Sequence, residues 1–167
     1  MGINSRKVCM LGSFSVGKTS LVRRFIESIY SEAYHTTLGV KVDKKNVTVG
    51  SEMLTLVLWD IHGDDAFKSI RMSYLNGMAG YLLVVDGTRK QTLEDALALE
   101  DRVHREHGIK PSVLALNKCD LSADWEIDAE REAALMSAGR PVLRTSAKTG
   151  EAVEQAFLLL AQAILRK

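Results

Sequence analysis

A glycine-rich segment at residues 12–19, GSFSVGKT, fits the pattern G-x-x-x-x-G-K-[ST]. Glycines in such a segment let successive backbone N–H groups wrap a phosphate, and the start of a following helix adds positive potential. Lys18 can neutralise the β- and γ-phosphate oxygens, and the Thr19 hydroxyl can ligate Mg²⁺. We therefore predict a nucleotide phosphate site, the alternative being an ordinary glycine-containing turn. Its predicted contact residues are Gly12, Ser15, Val16, Gly17, Lys18, Thr19 and Ser20.

A carboxylate and a glycine, Asp60 and Gly63, form a D-x-x-G element directly after an apolar run. A carboxylate at the end of a strand can hold magnesium directly or through water, and a glycine three residues later can offer its N–H to a terminal phosphate. Aspartate and glycine are also ordinary turn residues, so this element by itself is compatible with a plain turn. Together with the glycine-rich segment, it predicts a magnesium site at Thr19 and Asp60.

Two further polar segments follow predicted strands near the C-terminal half of the chain. Asp120 presents two acceptor oxygens that match the ring N–H and the exocyclic amine of guanine, and adenine has no such pair of donors. After the last predicted strand, a backbone N–H can meet the guanine carbonyl oxygen. Each segment alone could be a solvated loop, but their order after successive strands predicts a guanine site. The predicted base contacts are Asn117, Lys118, Asp120, Ser146, Ala147 and Lys148.

Apolar residues recur along the chain at strand-like and helix-like spacings in turn, and this pattern predicts the elements that must position these segments. Strands are predicted at 7–11, 40–49, 53–59, 81–85, 112–116 and 142–143, and helices at 19–29, 92–107, 126–138 and 152–165. Residues 50–52 predict a hairpin turn, and the continuous apolar run at 81–85 is typical of a parallel strand covered on both faces. We therefore expect an α/β doubly wound fold whose mostly parallel six-stranded sheet has one antiparallel edge strand and about five helices. Ligands of such sheets lie beyond the C-terminal ends of the strands.

Length and composition exclude several classes of protein. With 167 residues, 46% of them hydrophobic, the chain predicts one folded domain over 1–167 rather than a disordered protein. A net charge of +1 gives no bulk attraction to nucleic acid or anionic membranes. Two cysteines make no disulfide framework, and no apolar run reaches the ~20 residues that span a bilayer. We expect a cytoplasmic monomer with no secretory signal, no lipid anchor within this chain and no nucleic-acid partner; a C-terminal tail with a lipid site beyond this chain is the alternative.

The chain resembles a small GTPase of the Ras superfamily, closest in pattern to the Rab branch, across essentially all of its length. The matching segments are 12–19, 34–40 (YHTTLGV), 59–63 (W-D-x-x-G), 117–120 (N-K-x-D) and 145–148 (TSAK). The resemblance implies a P-loop NTPase fold and a GTP/GDP switch with Mg²⁺-dependent hydrolysis. It implies that Thr37 adds its hydroxyl to Mg²⁺ and that Tyr30 lies against the guanine ring. It also implies effector and regulatory proteins that bind switch regions at about 34–42 and 60–75.

Three residues depart from the family pattern around the expected γ-phosphate. Asp64 replaces the usual Gln that orients the attacking water, Phe14 replaces a small residue, and His62 replaces Ala. An ionised Asp64 accepts protons but cannot donate to the phosphoryl group, and its charge adds a repulsion of about 1–4 kcal/mol at ~4 Å. Crowding by phosphate can instead keep Asp64 protonated and restore a donor. The predicted catalytic residues are Lys18, Thr37, His62, Gly63 and Asp64.

These departures predict GTP hydrolysis slower than that of Ras-type enzymes and insensitive to ordinary activating proteins. Phe14 would occupy the approach of an arginine finger, and His62 can replace the missing Gln as the group that positions water. Neutral drift at solvent-facing positions is the alternative for each of the three. A scaffold that holds GTP without hydrolysing it is the second functional hypothesis. A P-loop kinase or ATPase is the third, and Asp120 argues against it.

Overall fold

Six strands form one sheet in the computed structural model, which describes residues 4–26, 40–61 and 72–166. The strands are β1 (Ser5–Leu11), β2 (Val40–Val49), β3 (Glu52–Ile61), β4 (Gly80–Asp86), β5 (Ser112–Asn117) and β6 (Val142–Arg144). Their order is β2-β3-β1-β4-β5-β6, and only the edge strand β2 runs antiparallel to its neighbour. The predicted α/β doubly wound, mostly parallel sheet with one antiparallel edge strand is confirmed.

The described residues contain four α-helices and two short 3₁₀ turns. The helices are α1 (Lys18–Ile26), α2 (Gln91–His107), α3 (Ala129–Met136) and α4 (Val153–Leu165), and the turns are Met72–Leu75 and Ser122–Asp124. Helices α1 and α4 cover one face of the sheet, where Phe25 and Phe157 stack at 4.1 Å between ring centroids. Helix α2 covers the other face. All seven residues of β4 are therefore buried, as its continuous apolar run predicts.

Several predicted boundaries differ from the structure by one to three residues, and two of these differences have a clear cause. The helix predicted at 126–138 begins only at Ala129, because the Asp128 side chain caps it by accepting the Arg131 backbone N–H at 2.7 Å. Glu126 precedes the helix and accepts the Lys90 N–H at 2.8 Å. In the hairpin, Glu52 pairs with Val49 and belongs to β3, so the turn is shorter than the predicted 50–52.

The parallel strands bring their C-terminal ends to one edge of the sheet. The segments that follow β1, β3, β4, β5 and β6 therefore start from the same edge, as expected for a doubly wound sheet. Within the described ranges, no helix combines the length and the apolar composition that crossing a membrane requires.

Candidate functional site

The phosphate loop (residues 12–19) connects β1 to α1 and requires glycine at two positions. Gly12 has a φ of 148°, and a Cβ there would lie 2.4 Å from the Val84 carbonyl oxygen. Gly17 has a φ of 105°, and a Cβ there would lie 2.2 Å from Nδ2 of Asn117. Because glycine has no side chain, the loop can lie directly against β4 at Gly12 and against the Asn117 side chain at Gly17.

Four carbonyl groups of the phosphate loop each accept a hydrogen bond from a side chain. The pairs are Gly12 with Lys18 Nζ at 2.8 Å, Phe14 with Arg89 Nη2 at 3.1 Å, Ser15 with Lys118 Nζ at 3.0 Å and Val16 with Asn117 Nδ2 at 2.9 Å. The C=O and N–H of one peptide unit point in opposite directions. For the contacts made by Arg89, Lys118 and Asn117, which come from outside the loop, the N–H groups of the residues that follow the bound carbonyls are therefore turned toward the opposite side, as an anion cradle requires.

Lys18 is a buried ammonium at the start of α1. Its side chain is 8% exposed, and burial lowers its pKa to about 8, although the nearby Asp60 carboxylate partly opposes this shift. A cation without full hydration gains strongly from an anionic ligand. Lys18 is therefore suited to bind phosphate oxygens.

Two oxygen donors meet between the start of α1 and the end of β3. The Thr19 hydroxyl donates to Oδ2 of Asp60 at 2.5 Å, and the Asp60 side chain is fully buried. A hydroxyl and a carboxylate side by side next to a phosphate site are hard oxygen ligands of the kind that Mg²⁺ prefers. The residues present therefore fit a magnesium ion.

The predicted base contacts also lie together. Asn117 is buried, and its Oδ1 accepts a hydrogen bond from the Thr145 hydroxyl at 3.1 Å. Asp120 Oδ1 accepts from the Ser146 hydroxyl at 2.7 Å. The segments after β5 and β6 are thus joined by side-chain hydrogen bonds. Because each carboxylate oxygen can accept two hydrogen bonds, Asp120 can bind ligand donors in addition to the Ser146 hydroxyl.

Arg24 on α1 holds the segment 146–148 from outside and was not predicted. Its Nε donates to the Ala147 carbonyl at 2.9 Å, and its Nη2 donates to the Lys148 carbonyl. The backbone N–H of Gly150 closes the same turn on the Ser146 carbonyl at 2.8 Å. No motif contains Arg24, so the sequence offers no signal for this contact.

Asp86, at the end of β4, is a second residue that sequence reasoning missed. It is 1% exposed. Although burial raises its pKa, hydrogen bonds from Thr88, Lys118 and Arg89 outweigh this effect and hold the pKa at about 2. The signal available in the sequence was a single acid that ends an otherwise apolar strand.

Trp125 packs over the backbone next to Asp86. A Cβ on Gly87 would lie 2.0 Å from the Trp125 ring, so glycine is required there for the ring to pack this closely on the backbone. The Gly87 N–H donates to the Asn117 carbonyl at 3.0 Å. Trp125 therefore contacts Gly87, a residue that follows Asp86 in the chain and is hydrogen-bonded to Asn117.

The structure brings together most of the predicted site residues. Gathered at one edge are Gly12, Ser15, Val16, Gly17, Lys18, Thr19, Asp60, Asn117, Lys118, Asp120, Ser146, Ala147 and Lys148. Ser20 is exposed on α1, and the Phe14 side chain is 59% exposed. The predictions for Tyr30, Thr37, His62, Gly63 and Asp64 lie outside the described residues.

Comparison with known proteins agrees with this geometry. The family model described as "Ras family" matches residues 7–166. The Ras-related protein Rab-4B of Rattus norvegicus is 37% identical over 169 residues, an alignment that covers 96% of this chain and 76% of that protein. A match of this extent includes every segment of the candidate phosphate, magnesium and base sites described above. The chain therefore belongs to the Ras family and is a Rab-like GTPase.

Proposed function

We propose that this protein is a GTP/GDP switch that binds its nucleotide with Mg²⁺ and hydrolyses GTP slowly. The observation that carries the proposal is the convergence of the phosphate loop, the Thr19–Asp60 pair and the joined segments at Asp120 and Ser146 on one sheet edge. Each of the three recognises a different part of a guanine nucleotide: its phosphates, its metal and its base.

The described residues divide the work of binding between them. Lys18 and the N–H groups of the phosphate loop bind the phosphates, and Asp120 selects guanine because its carboxylate would lose its donors against adenine. Thr19 and Asp60 hold Mg²⁺, with Thr37 as the further ligand when GTP is bound. Bound magnesium neutralises the charge that develops on the phosphate oxygens during transfer.

Slow hydrolysis follows from three residues around the γ-phosphate. Asp64 lacks the amide donor that orients the water, and His62 takes over part of that role. The 59% exposure of Phe14 supports a role as an obstacle at the outer edge of the phosphate loop, where an activating protein would insert an arginine. We expect a turnover rate below that of Ras itself, which is on the order of 10⁻⁴ s⁻¹.

The partners that we propose are effector and regulatory proteins that bind the switch regions at about 34–42 and 60–75. The γ-phosphate would order these regions and its loss would release them. The protein would act as a cytoplasmic monomer.

Binding of guanine nucleotides tests the proposal directly. We expect the purified chain to bind GDP and a non-hydrolysable GTP analogue with Mg²⁺, and excess ATP should not compete. Asp120→Ala should weaken GDP binding by about 100-fold or more, since it removes the carboxylate that pairs with guanine. Asp124→Ala is the matched control, because Asp124 is exposed in the next turn. Equal competition by ATP and GTP, or an unchanged affinity of Asp120→Ala, would reject the proposal.

A GTP-bound scaffold without turnover is the second candidate, favoured by the same replacement at position 64. Single-turnover assays and the nucleotide that co-purifies from cells separate the two. Bound GDP and measurable turnover support the switch, whereas bound GTP and no phosphate release support the scaffold. A rate about tenfold above that of Ras would contradict both. His62→Ala should slow turnover further if His62 positions the water.

A further inference from the structure

We propose that Asp86 and Arg89 are positioning residues for the phosphate loop, an inference that rests on the proposed nucleotide function and deepens it. Neither residue belongs to a nucleotide motif. Arg89 is the one that reaches the loop, and Asp86 fixes its direction.

Asp86 is a buried carboxylate that receives four hydrogen bonds. Its Oδ1 accepts from the backbone N–H of Thr88 at 2.9 Å and from the Thr88 hydroxyl at 2.6 Å. Its Oδ2 accepts from Arg89 Nε and from Lys118 Nζ, each at 2.9 Å. All the oxygen lone pairs of this carboxylate are therefore used to orient neighbouring donors.

Both cations continue from Asp86 to adjacent carbonyls of the phosphate loop. Arg89 uses a second nitrogen, Nη2, to donate to the Phe14 carbonyl at 3.1 Å, and Lys118 Nζ donates to the Ser15 carbonyl at 3.0 Å. The rigid fork of Arg89 lets separate nitrogens hold the acid and the loop at once. One buried carboxylate thereby controls two successive peptide units of the loop.

The backbone at the second contact is strained in a way that needs such control. Ser15 has a φ of 60° and Lys118 a φ of 69°, both in the left-handed region that non-glycine residues avoid. Conformations of this kind persist only where surrounding contacts hold them. The contacts on Phe14 and Ser15 keep their carbonyls turned outward, so the N–H groups of the next residues stay directed to the phosphate side.

Loss of Arg89 should therefore weaken the binding of the β-phosphate and leave the binding of the guanine base unchanged. A suitable measure is the ratio of the affinities for GDP and GMP, because only GDP has the β-phosphate that the loop cradles. We expect Arg89→Ala to lower this ratio by about fivefold or more, which corresponds to about 1 kcal/mol. A merely structural defect would weaken both ligands equally and leave the ratio unchanged.

Arg131→Ala provides the matched control. Arg131 is 43% exposed against 46% for Arg89, and it pairs with Glu94 at the same end of α2 without contacting the phosphate loop. Its GDP-to-GMP ratio should equal that of the wild type. Arg89→Gln is the second variant, used if the alanine variant does not fold, and the same loss is expected because a single amide cannot hold both Asp86 and Phe14.

The outcomes separate the two proposals. A wild-type ratio in Arg89→Ala, or in Arg89→Gln where that variant is the one measured, overturns this inference while the nucleotide function stands. A wild-type protein that binds no GDP overturns the proposed function itself.

Discussion

Lys18 illustrates how a single residue can be prepared for its ligand before the ligand arrives. Its ammonium is buried against the carbonyl of Gly12, and the resulting loss of hydration lowers its pKa to about 8. Phosphate oxygens would replace the water that burial removes from the ammonium and would stabilise its charged form. An anionic ligand would therefore offset the desolvation cost of burying this cation, which favours the binding of phosphate.

This pKa makes nucleotide affinity depend on pH. Bound phosphates favour the charged ammonium, so the complex holds its proton at pH values where the free protein has lost it. Binding then takes up a proton above about pH 8, and affinity falls as pH rises, by up to about tenfold per unit. Below that pH this group adds no dependence. GDP dissociation constants between about pH 7 and 9 measure the effect.

Lys18→Met is the control for this prediction, because it removes the titrating group. Its affinity should be low and should lack the decline above about pH 8. An identical pH profile in wild type and variant would contradict the assignment of the effect to Lys18.

At the scale of elements, two arginines contact loops that lie far from them in sequence. Arg24 of α1 reaches segment 146–148, and Arg89 before α2 reaches the phosphate loop. In both cases an arginine donates to backbone carbonyls, so the loops are fixed from behind and their other side is left for the ligand. Arg24 therefore supports the base end of the candidate site, and Arg89 supports its phosphate end.

Arg24→Ala should act on the base end alone. We expect GDP and GMP affinities to fall by the same factor, about threefold to tenfold, because both ligands contain guanine and two charge-assisted hydrogen bonds to the loop are lost. Equilibrium competition with a fluorescent nucleotide measures both. Arg105→Ala, exposed on α2, is the control and should bind both ligands normally. A GDP-to-GMP ratio that changes in Arg24→Ala would contradict the assignment of Arg24 to the base end.

Sequence reasoning succeeded where a local pattern fixes the answer. The apolar runs predicted the strands, and parallel strands necessarily bring the segments after them to one edge, so the residues proposed to contact phosphate, metal and base could be grouped in advance. The predicted start of α3 was wrong because the spacing of apolar residues carries no information about a polar cap such as Asp128. Arg24, Asp86 and Arg89 were missed for another reason. Their partners lie far away in sequence, and only the packed chain shows which carbonyl a long side chain reaches.

At the scale of the whole molecule, the candidate nucleotide site takes its residues from both halves of the sheet. Its residues come from the ends of β1, β3, β4, β5 and β6, which cover most of the width of the sheet. A ligand that contacts all of these ends would stabilise the folded chain and has no site in the unfolded one.

Guanine nucleotide should therefore raise the thermal stability of the protein. With GDP and Mg²⁺ at 100-fold above the dissociation constant, the free energy of unfolding should rise by about 2.7 kcal/mol. For a chain of this size, that corresponds to an increase in Tm of about 5–10 °C. Differential scanning calorimetry with GDP, with ATP and without nucleotide measures the effect. An equal increase with ATP would contradict guanine selection.

The ring of Trp125 resting on Gly87 gives the molecule an optical reporter of its own. Gly87 is bonded to Asn117 and follows Asp86, so a rearrangement of either segment alters the surroundings of the indole. Trp59 is on β3 next to Asp60, and the Lys7 ammonium of β1 lies 3.6 Å from the centroid of its ring. Replacing Trp59 by phenylalanine would leave one emitter beside the site, and nucleotide exchange could then be followed in real time by intrinsic fluorescence without attaching a dye.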